Sequence, residues 1–276
     1  MDITKVSVAI GAVGAVVATD IPRLYINVVL AAMIIVSFLI AIPLHECGHA
    51  LMAMWLGDRT PRDEGRLTMN PRVQVDPVGL LMCVLLAFQP YLAIGFGWGK
   101  PVKPDPWKLR VGANTGLLMV AWAGILFSLI IGLLSALVVH FLPPALYANA
   151  YIVRIPQFFE VFASVNICLT LFNLIPLYPL DGYQILYTLL PSKQAVQFAK
   201  SAVYGPLIIL AVFFLLPFLG QLSPGLGSFP LFRLSYYIWL GSVNISALVV
   251  NQVPVIAQAL GVFDAQTLYL FNIPGL

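Results

Sequence analysis

Charged residues are scarce in this chain, because Asp, Glu, Lys and Arg make up only 9% of its 276 residues. Soluble globular domains carry about 25% charged residues, so this scarcity excludes an ordinary soluble protein. The formal net charge is only +3, and no basic cluster accompanies an aromatic platform, which excludes a nucleic-acid-binding protein. The three cysteines are an odd number and all lie in apolar runs, so they do not form the pattern of a disulfide framework.

Apolar residues are abundant instead, at 61% of the chain, and they are concentrated in runs long enough to cross a membrane. We therefore expect an all-α polytopic membrane protein with about six transmembrane helices. Val6–Ala18 is short enough to be a cleaved signal peptide, but Asp2 dilutes the basic N-terminal region, so we interpret it as a retained first span. The other predicted spans are Leu24–Met54, Thr115–Leu142, Phe158–Leu180, Val203–Leu219 and Leu231–Val250.

The distribution of Lys and Arg predicts the orientation of these spans. Eight of the 14 fall in the two polar stretches Gly57–Pro77 and Trp98–Asn114, which places both stretches on the cytoplasmic side. Leu80–Phe96 lies between them, so we expect it to be re-entrant or in-plane. Both termini are then cytoplasmic in a multi-pass protein of the plasma or inner membrane. We treat residues 1–276 as one membrane domain, with a core at about 24–187, accessory helices at about 1–20 and 203–250, and a tail at 251–276.

One short motif combines two of the three histidines with an intramembrane carboxylate. His45-Glu46-Cys47-Gly48-His49 reads H-E-x-x-H within a predicted helix. The i,i+4 spacing puts both imidazoles on one helix face, which suits two zinc–nitrogen bonds. The Glu projects beside the metal, where it can hold and deprotonate a water molecule. In a chain with so little His and charge, a chance match is the weaker interpretation.

A catalytic zinc normally has three protein ligands, so a third is required. Asp181 ends the predicted span Phe158–Leu180, which runs parallel to the motif helix if Leu80–Phe96 does not cross the membrane. The run Asn173–Gly182 contains Pro176 and Pro179, so it cannot be a regular helix. Asp181 is then either a ligand folded back toward the histidines or a loop aspartate in an Asp-Gly turn, and spacing alone leaves both open.

These motifs together resemble those of the site-2 proteases, which are intramembrane zinc metalloproteases. The resemblance covers the chain from about Leu24 to Gln184 and fits the compact subgroup without a PDZ domain. Beyond the H-E-x-x-H motif, the matching stretches are Gly65–Pro71 with Asp76–Gly79, Gly97–Val102, and Asn166 through Asn173 to Gly182.

The resemblance implies a function and a set of site residues. His45, His49 and Asp181 would ligate one Zn²⁺ per chain, and Glu46 would be the general base and later the proton donor. Asn173 would help to hold the oxyanion or position the substrate. The enzyme would be a metalloendopeptidase of regulated intramembrane proteolysis, which cleaves a single-span membrane protein within the lipid bilayer. No nucleic-acid partner is implied, and the oligomeric state is not predicted.

Three further points follow from the sequence. Many relatives carry A-G-P-x-x-N where this chain has Ala123–Ser128, without the Pro and Asn, so a catalytically lapsed metal-binding homologue is one alternative. A transporter or ion pathway with a relay of histidines and carboxylates, including Glu160, is another. Finally, Val73 and Val75 alternate with polar neighbours, so Arg66–Val75 is either an edge for β-addition of an unwound substrate or a plain polar loop.

Overall fold

The computed structural model describes residues 23–88, 95–143, 146, 152–222 and 224–250, and the regular elements of this part of the chain are helices. Several one-turn helices connect seven longer elements. The longer elements are α1 (Arg23–Trp55), α2 (Pro77–Ala87), α3 (Ala113–Phe141), α4 (Arg154–Asn173), α5 (Asp181–Leu189), α6 (Ser192–Gly220, a run of consecutive helical segments) and α7 (Leu234–Val250).

Four of these helices are long and apolar enough to cross a membrane, namely α1 from Val28 onward, α3, α4 and α6. The protein is therefore a membrane protein, as composition predicted. Helix α7 coincides with the predicted span Leu231–Val250 but has only 17 residues in the described region. The predicted first span Val6–Ala18 and the tail 251–276 lie outside the described residues, so the count of six spans stays a prediction.

The boundaries of α4 differ from the sequence prediction for a physical reason. The predicted span Phe158–Leu180 is a helix from Arg154 to Asn173. The helix ends before Pro176 and Pro179, because proline has no amide hydrogen to donate and its ring collides with the preceding turn. The chain then makes irregular turns until α5 begins at Asp181. The interruption of the helix that the two prolines predicted is thus present, and it is seven residues long.

Helices α1, α3 and α4 pack against one another and form the centre of the molecule, and α7 packs against α3 and α4. A cluster of three phenylalanines joins this centre to α6. The ring of Phe96 stacks on that of Phe172 at 5.0 Å between centroids, and Phe213 of α6 meets both rings edge-on. This cluster adjoins the C-terminal end of α4 and so supports the segment that leads to Asp181.

The segment Arg66–Val75 is not a strand, so the proposed edge for β-addition is wrong. Pro71–Gln74 forms a helical turn capped by the Asn70 side chain, which accepts from the Arg72 amide at 3.1 Å. The Asn-Pro pair favours such a start, because the Asn side chain caps the turn and Pro has no amide hydrogen that needs an acceptor. The segment's one bridge of β type is an isolated antiparallel pairing of Val75 with Gly99, among the described residues.

The two polar stretches meet beside the C-terminal end of α1, and Asp58 is the residue that joins them. Its side chain is fully buried. One carboxylate oxygen accepts from the Thr60 amide at 2.9 Å, and the other accepts from the Asp105 amide at 2.7 Å. Burial raises the pKa of Asp58, but the hydrogen bonds from Thr60 and Asp105 outweigh it and hold this pKa below its ordinary value.

We expect Asp58→Ala to lower stability by about 2–4 kcal/mol, because two backbone amides lose a charged acceptor in a buried position. Asp63 of the neighbouring one-turn helix is exposed, so Asp63→Ala is the matched control and should change stability little. Thermal unfolding of the purified protein in detergent measures the difference. Equal midpoints for the two variants would show that the Asp58 bridge is dispensable.

The contribution of Asp58 also has a defined pH dependence. Because its pKa is lower in the folded protein than the ordinary value of 3.8, its stabilisation is complete above that pH and is lost as pH falls through the folded value. Asp58→Asn carries no such charge. The stability gap between the native protein and Asp58→Asn should therefore be constant near neutral pH and close only in strong acid, as measured by unfolding midpoints across a pH series.

Candidate metal centre

The two histidines of the H-E-x-x-H motif lie one turn apart on the inner face of α1. His45 and His49 are 3% and 5% exposed, and their rings meet edge-on with centroids 4.7 Å apart. Their Nε2 atoms lie 3.1 Å from each other. The i,i+4 spacing therefore brings the two imidazoles together as the sequence predicted.

Helix α3 contacts the Nδ1 atom of each imidazole, on the side of the ring that points away from the cluster. His49 Nδ1 lies 2.7 Å from the Val120 carbonyl oxygen of α3. A carbonyl can only accept, so Nδ1 carries a hydrogen, and Nε2 is the ring nitrogen that faces the cluster. His45 Nδ1 lies 2.9 Å from the Ser128 hydroxyl, also on α3. Hydrogen bonds of this kind orient histidines that bind metal.

Asp181 completes the cluster from the start of α5. Its two carboxylate oxygens lie 3.1 Å from His45 Nε2 and 3.2 Å from His49 Nε2. Burial raises the pKa of Asp181, but the adjacent His49 and His45 hold this pKa well below its usual range, so the carboxylate is ionised. The sequence left Asp181 open between a ligand position and a turn, and the structure brings it to the histidines.

Gly182 explains how α5 can begin at this point. A Cβ on Gly182 would lie only 2.5 Å from the carbonyl oxygens of Leu174 and Ile175. Only a residue without a side chain allows the start of α5 to approach the end of α4 so closely. The Asp-Gly pair is therefore not an isolated turn, because the glycine sets the distance at which Asp181 meets α1.

The donor atoms of the three side chains have the chemistry of a divalent cation site. One ligand atom from each of His45, His49 and Asp181 lies within 4.8 Å of the others. Oδ2 of Asp181 is buried and accepts no hydrogen bond, and it lies 3.1 Å from His45 Nε2. Lone pairs that converge in a buried space repel one another unless a cation lies between them. Two imidazoles and one carboxylate are typical zinc ligands, so these residues fit zinc.

Glu46 lies beside this cluster and is only 4% exposed. Its Oε2 accepts from the Val102 amide at 3.3 Å and lies 3.8 Å from the Arg66 guanidinium. A Cβ on Gly99 would collide with its Oε1. The segment Gly99–Val102 therefore approaches the Glu46 carboxylate closely from one side, and the guanidinium neutralises part of its charge.

Arg66 also binds the polar stretches together over Glu46. Its guanidinium donates to the Val73 carbonyl at 2.8 Å and to the Lys100 carbonyl. The backbone adds a second link, because the Lys100 amide donates to the Gln74 carbonyl at 2.7 Å. The buried side-chain amide of Gln74 donates to the Arg66 carbonyl at 2.5 Å. These contacts attach the segment that faces Glu46 to the stretch between Arg66 and Gln74.

A cavity of about 460 Å³ opens onto the three candidate ligands and Glu46. The proline-containing segment from Trp98 to Pro106 lines part of it. Asn173 at the end of α4 and three tyrosines also line it, namely Tyr178 in the turns before α5 and Tyr183 and Tyr187 in α5. A cavity of this size at a candidate metal site can hold a segment of a ligand next to the metal.

Asn173 occupies the last turn of α4 and is 4% exposed. Its Nδ2 donates to the Leu169 carbonyl at 3.0 Å, and its Oδ1 lies 3.5 Å from the Asp181 amide nitrogen. The side chain thus connects the end of α4 to the residue that completes the cluster. Nδ2 keeps a second hydrogen for another acceptor.

Sequence reasoning missed the residues of α3 that support the cluster. Gly124 lies against the His49 ring, since a Cβ there would collide with its Nε2 and Cε1 atoms, and Val120 and Ser128 hold the two Nδ1 atoms. The signal available was the stretch Ala123–Ser128, which departs from the pattern of the relatives. The sequence pointed to helix packing there, whereas the structure brings this stretch into direct contact with both histidines.

The fold and the cluster define a membrane metalloprotease: apolar helices, an H-E-x-x-H motif, and a carboxylate that joins both histidines. Comparison with known proteins agrees. The model of peptidase family M50 matches residues 145–216, a region that contains Asp181. "Putative zinc metalloprotease YwhC" of Bacillus subtilis is 32% identical over 193 residues, which cover 69% of this chain and 84% of that protein.

A second relative gives the same result. "Putative zinc metalloprotease Rip2" of Mycobacterium tuberculosis is 29% identical over 189 residues, or 67% of each chain. No solved structure matches this chain. The chain belongs to peptidase family M50 and is a zinc-dependent metalloendopeptidase of the site-2 protease type.

Replacement of Gly124 by Ala should weaken zinc binding, because the new Cβ collides with the His49 ring and forces it to turn away from Asp181. We expect an increase of tenfold or more in the zinc dissociation constant. Gly241→Ala is the matched control, since its Cβ meets only the flexible end of Leu171 and α7 contributes no residue to the lining of the cavity. Competition with a chromogenic chelator measures both constants. Identical affinities would contradict the assigned contact between α3 and His49.

Proposed function

We propose that this chain is an intramembrane endopeptidase that uses one Zn²⁺ to cleave the transmembrane segment of another membrane protein. In this proposal His45, His49 and Asp181 hold the zinc, Glu46 is the general base, and Asn173 assists with the substrate. The single observation that carries the proposal is the convergence of His45, His49 and Asp181 within 4.8 Å, with Glu46 adjacent on the same helix.

Zinc, when bound, supplies Lewis acidity that polarises the scissile carbonyl and makes water easier to deprotonate. The residues of the chain carry the proton. The Glu46 carboxylate accepts a proton from the attacking water and then donates it to the departing amine, so the group ends the cycle ionised as it began. Its contacts with Val102 and Arg66 hold the carboxylate beside the cluster during both transfers.

Asn173 has two tasks in this proposal. Its Oδ1 faces the Asp181 amide nitrogen and so helps to fix the position of the ligand. The second hydrogen of Nδ2 is available to the developing oxyanion of the substrate, because Asn173 lines the cavity. A donor of this type typically contributes about 3–4 kcal/mol to the stability of a transition state.

The depth of the cluster supports cleavage within the membrane. His45 lies 17 residues, or about 26 Å of helix, from Val28 and 10 residues, or about 15 Å, from Trp55. The hydrocarbon core of a bilayer is about 30 Å thick. His45 therefore falls within the part of α1 that crosses the membrane, toward its C-terminal end.

The polar stretches support a cytoplasmic active site. Both carry an excess of Lys and Arg, and Asp58 joins them beside the C-terminal end of α1. Helix α2 has only 11 residues, too few to cross the membrane, and the residues that flank its segment pair as Val75 and Gly99. We therefore assign a re-entrant segment here. With this segment, the proposal has six spans in one protease domain and cytoplasmic termini. The protein is then located in the plasma or inner membrane.

The substrate class follows from the position of the site. A transmembrane helix hides its amides in internal hydrogen bonds, so a substrate must unwind before a carbonyl can approach the zinc. The cavity of about 460 Å³ is large enough for a few residues of extended chain. A single-span protein fits this requirement, because one isolated helix enters laterally and unwinds at lower cost than a helix packed within a bundle.

A transport relay receives less support from the geometry. Glu160, the other carboxylate within a span, lies 13 residues before Asn173, or about 20 Å along α4. It does not line the cavity. A transporter would need a path for protons between Glu160 and the histidines. The described cavity walls provide no continuous polar route of this kind.

Glu46→Gln should abolish cleavage of a model single-span substrate while zinc content stays at about one per chain. Gln keeps the shape of Glu but cannot accept the proton, so the loss should reach at least 10³-fold, toward the upper part of the range for acid–base residues. Metal analysis of the purified variant and cleavage in liposomes provide the two measurements. A chelator should inactivate the native protein, and added zinc should restore it.

Glu160→Gln is the control that separates the two classes of function. The protease proposal expects this variant to cleave normally, whereas a relay through Glu160 would require the carboxylate. Cleavage that survives in Glu46→Gln would end the assignment of the general base. A native protein with zinc bound but without any cleavage of membrane substrates would instead support a lapsed homologue.

A further inference from the structure

The side chain of Ser128 is fully buried on α3 and faces the metal cluster from behind. Its hydroxyl oxygen lies 2.9 Å from His45 Nδ1, across 83 positions of sequence. Neither residue is accessible to solvent to any useful extent, since His45 is 3% exposed. Ser128 is therefore the partner that the structure provides for the outer nitrogen of His45.

The hydroxyl differs in one respect from the partner of the other histidine. The Val120 carbonyl can only accept, which fixes the tautomer of His49. A serine hydroxyl can donate or accept, so contact alone does not fix the tautomer of His45. The requirement comes from the cluster: His45 Nε2 lies 3.1 Å from both Oδ2 of Asp181 and Nε2 of His49, so it is the nitrogen that would bind the metal. Nε2 must then present a lone pair, and Nδ1 must carry the hydrogen.

We propose that Ser128 is a positioning residue for the metal centre, whose Oγ accepts the Nδ1 hydrogen of His45 and so directs the Nε2 lone pair toward the zinc. The inference rests on the proposed function, because it assigns His45 as a ligand. Ser128 does not touch the substrate or the reacting atoms. It acts through His45 alone, by fixing the tautomer and the rotation of the ring.

Ser128→Ala removes the acceptor and leaves the buried Nδ1 hydrogen without a partner. We expect a 10- to 100-fold increase in the zinc dissociation constant, the usual effect when the outer partner of a metal-binding histidine is removed. Competition with a chromogenic chelator measures this constant without any need for activity. In the protein loaded with Co²⁺, the visible absorption bands should also change, since they report the geometry of the ligands.

Ser135→Ala is the matched control. Ser135 lies two turns further along α3 and is also buried, but its hydroxyl donates to the Ile131 carbonyl of its own helix at 2.8 Å. This variant should bind zinc as the native protein does. If Ser128→Ala fails to fold, Ser128→Thr and Ser128→Val form a second test, because the two side chains have nearly equal shape. The threonine hydroxyl should keep affinity within about threefold of the native value, and valine should lose it.

The outcomes separate this inference from the function on which it rests. A native protein that binds zinc, together with equal affinities for Ser128→Ala and Ser135→Ala, would overturn the role of Ser128 and leave the protease proposal intact. Equal affinities for the threonine and valine variants would overturn it as well. A native protein that binds no zinc would overturn the proposed function and this inference with it.

Discussion

One electrostatic constraint determines how the described helices can be arranged: the electron-rich groups of three side chains converge within a membrane protein. The imidazole nitrogens of His45 and His49 and the carboxylate oxygens of Asp181 face one another at about 3 Å. A divalent cation at the centre would satisfy all three groups at once, because each of them can direct an electron pair toward it. In the proposed function, the binding of zinc is therefore linked to the arrangement of α1, α3 and the start of α5.

The rest of the described chain supports this convergence from three directions. Helix α3 holds the outer nitrogens of both histidines and approaches His49 closely at Gly124. The prolines after α4 end that helix, so that α5 begins with Asp181 against α1. The polar stretches form the third support, where Arg66 and Asp58 bind backbone carbonyls and amides and hold a wall beside Glu46. Each support uses a polar contact between segments distant in sequence.

Much of this could be predicted from the sequence, and the failures have identifiable causes. Membrane class and the positions of the long helices follow from apolar runs, because the bilayer imposes a minimum length on each. The edge strand at Arg66–Val75 was wrong because alternation over so few residues carries less information than the local Asn-Pro signal, which starts a helical turn. The support from α3 was missed because glycine and serine in an apolar helix have no distinctive pattern, and only their neighbours give them a role.

The sequence by itself determined the membrane class, the pair of histidines with Glu46, and the interruption that precedes Asp181. These are local properties: helix periodicity, proline stereochemistry and the cost of charge in lipid act within a few residues. Only the tertiary structure decided that Asp181 reaches the histidines and that Ser128 and Val120 orient them. Those contacts join helices more than 70 positions apart in the chain, and their distances depend on how α1, α3 and α4 pack, which no local pattern specifies.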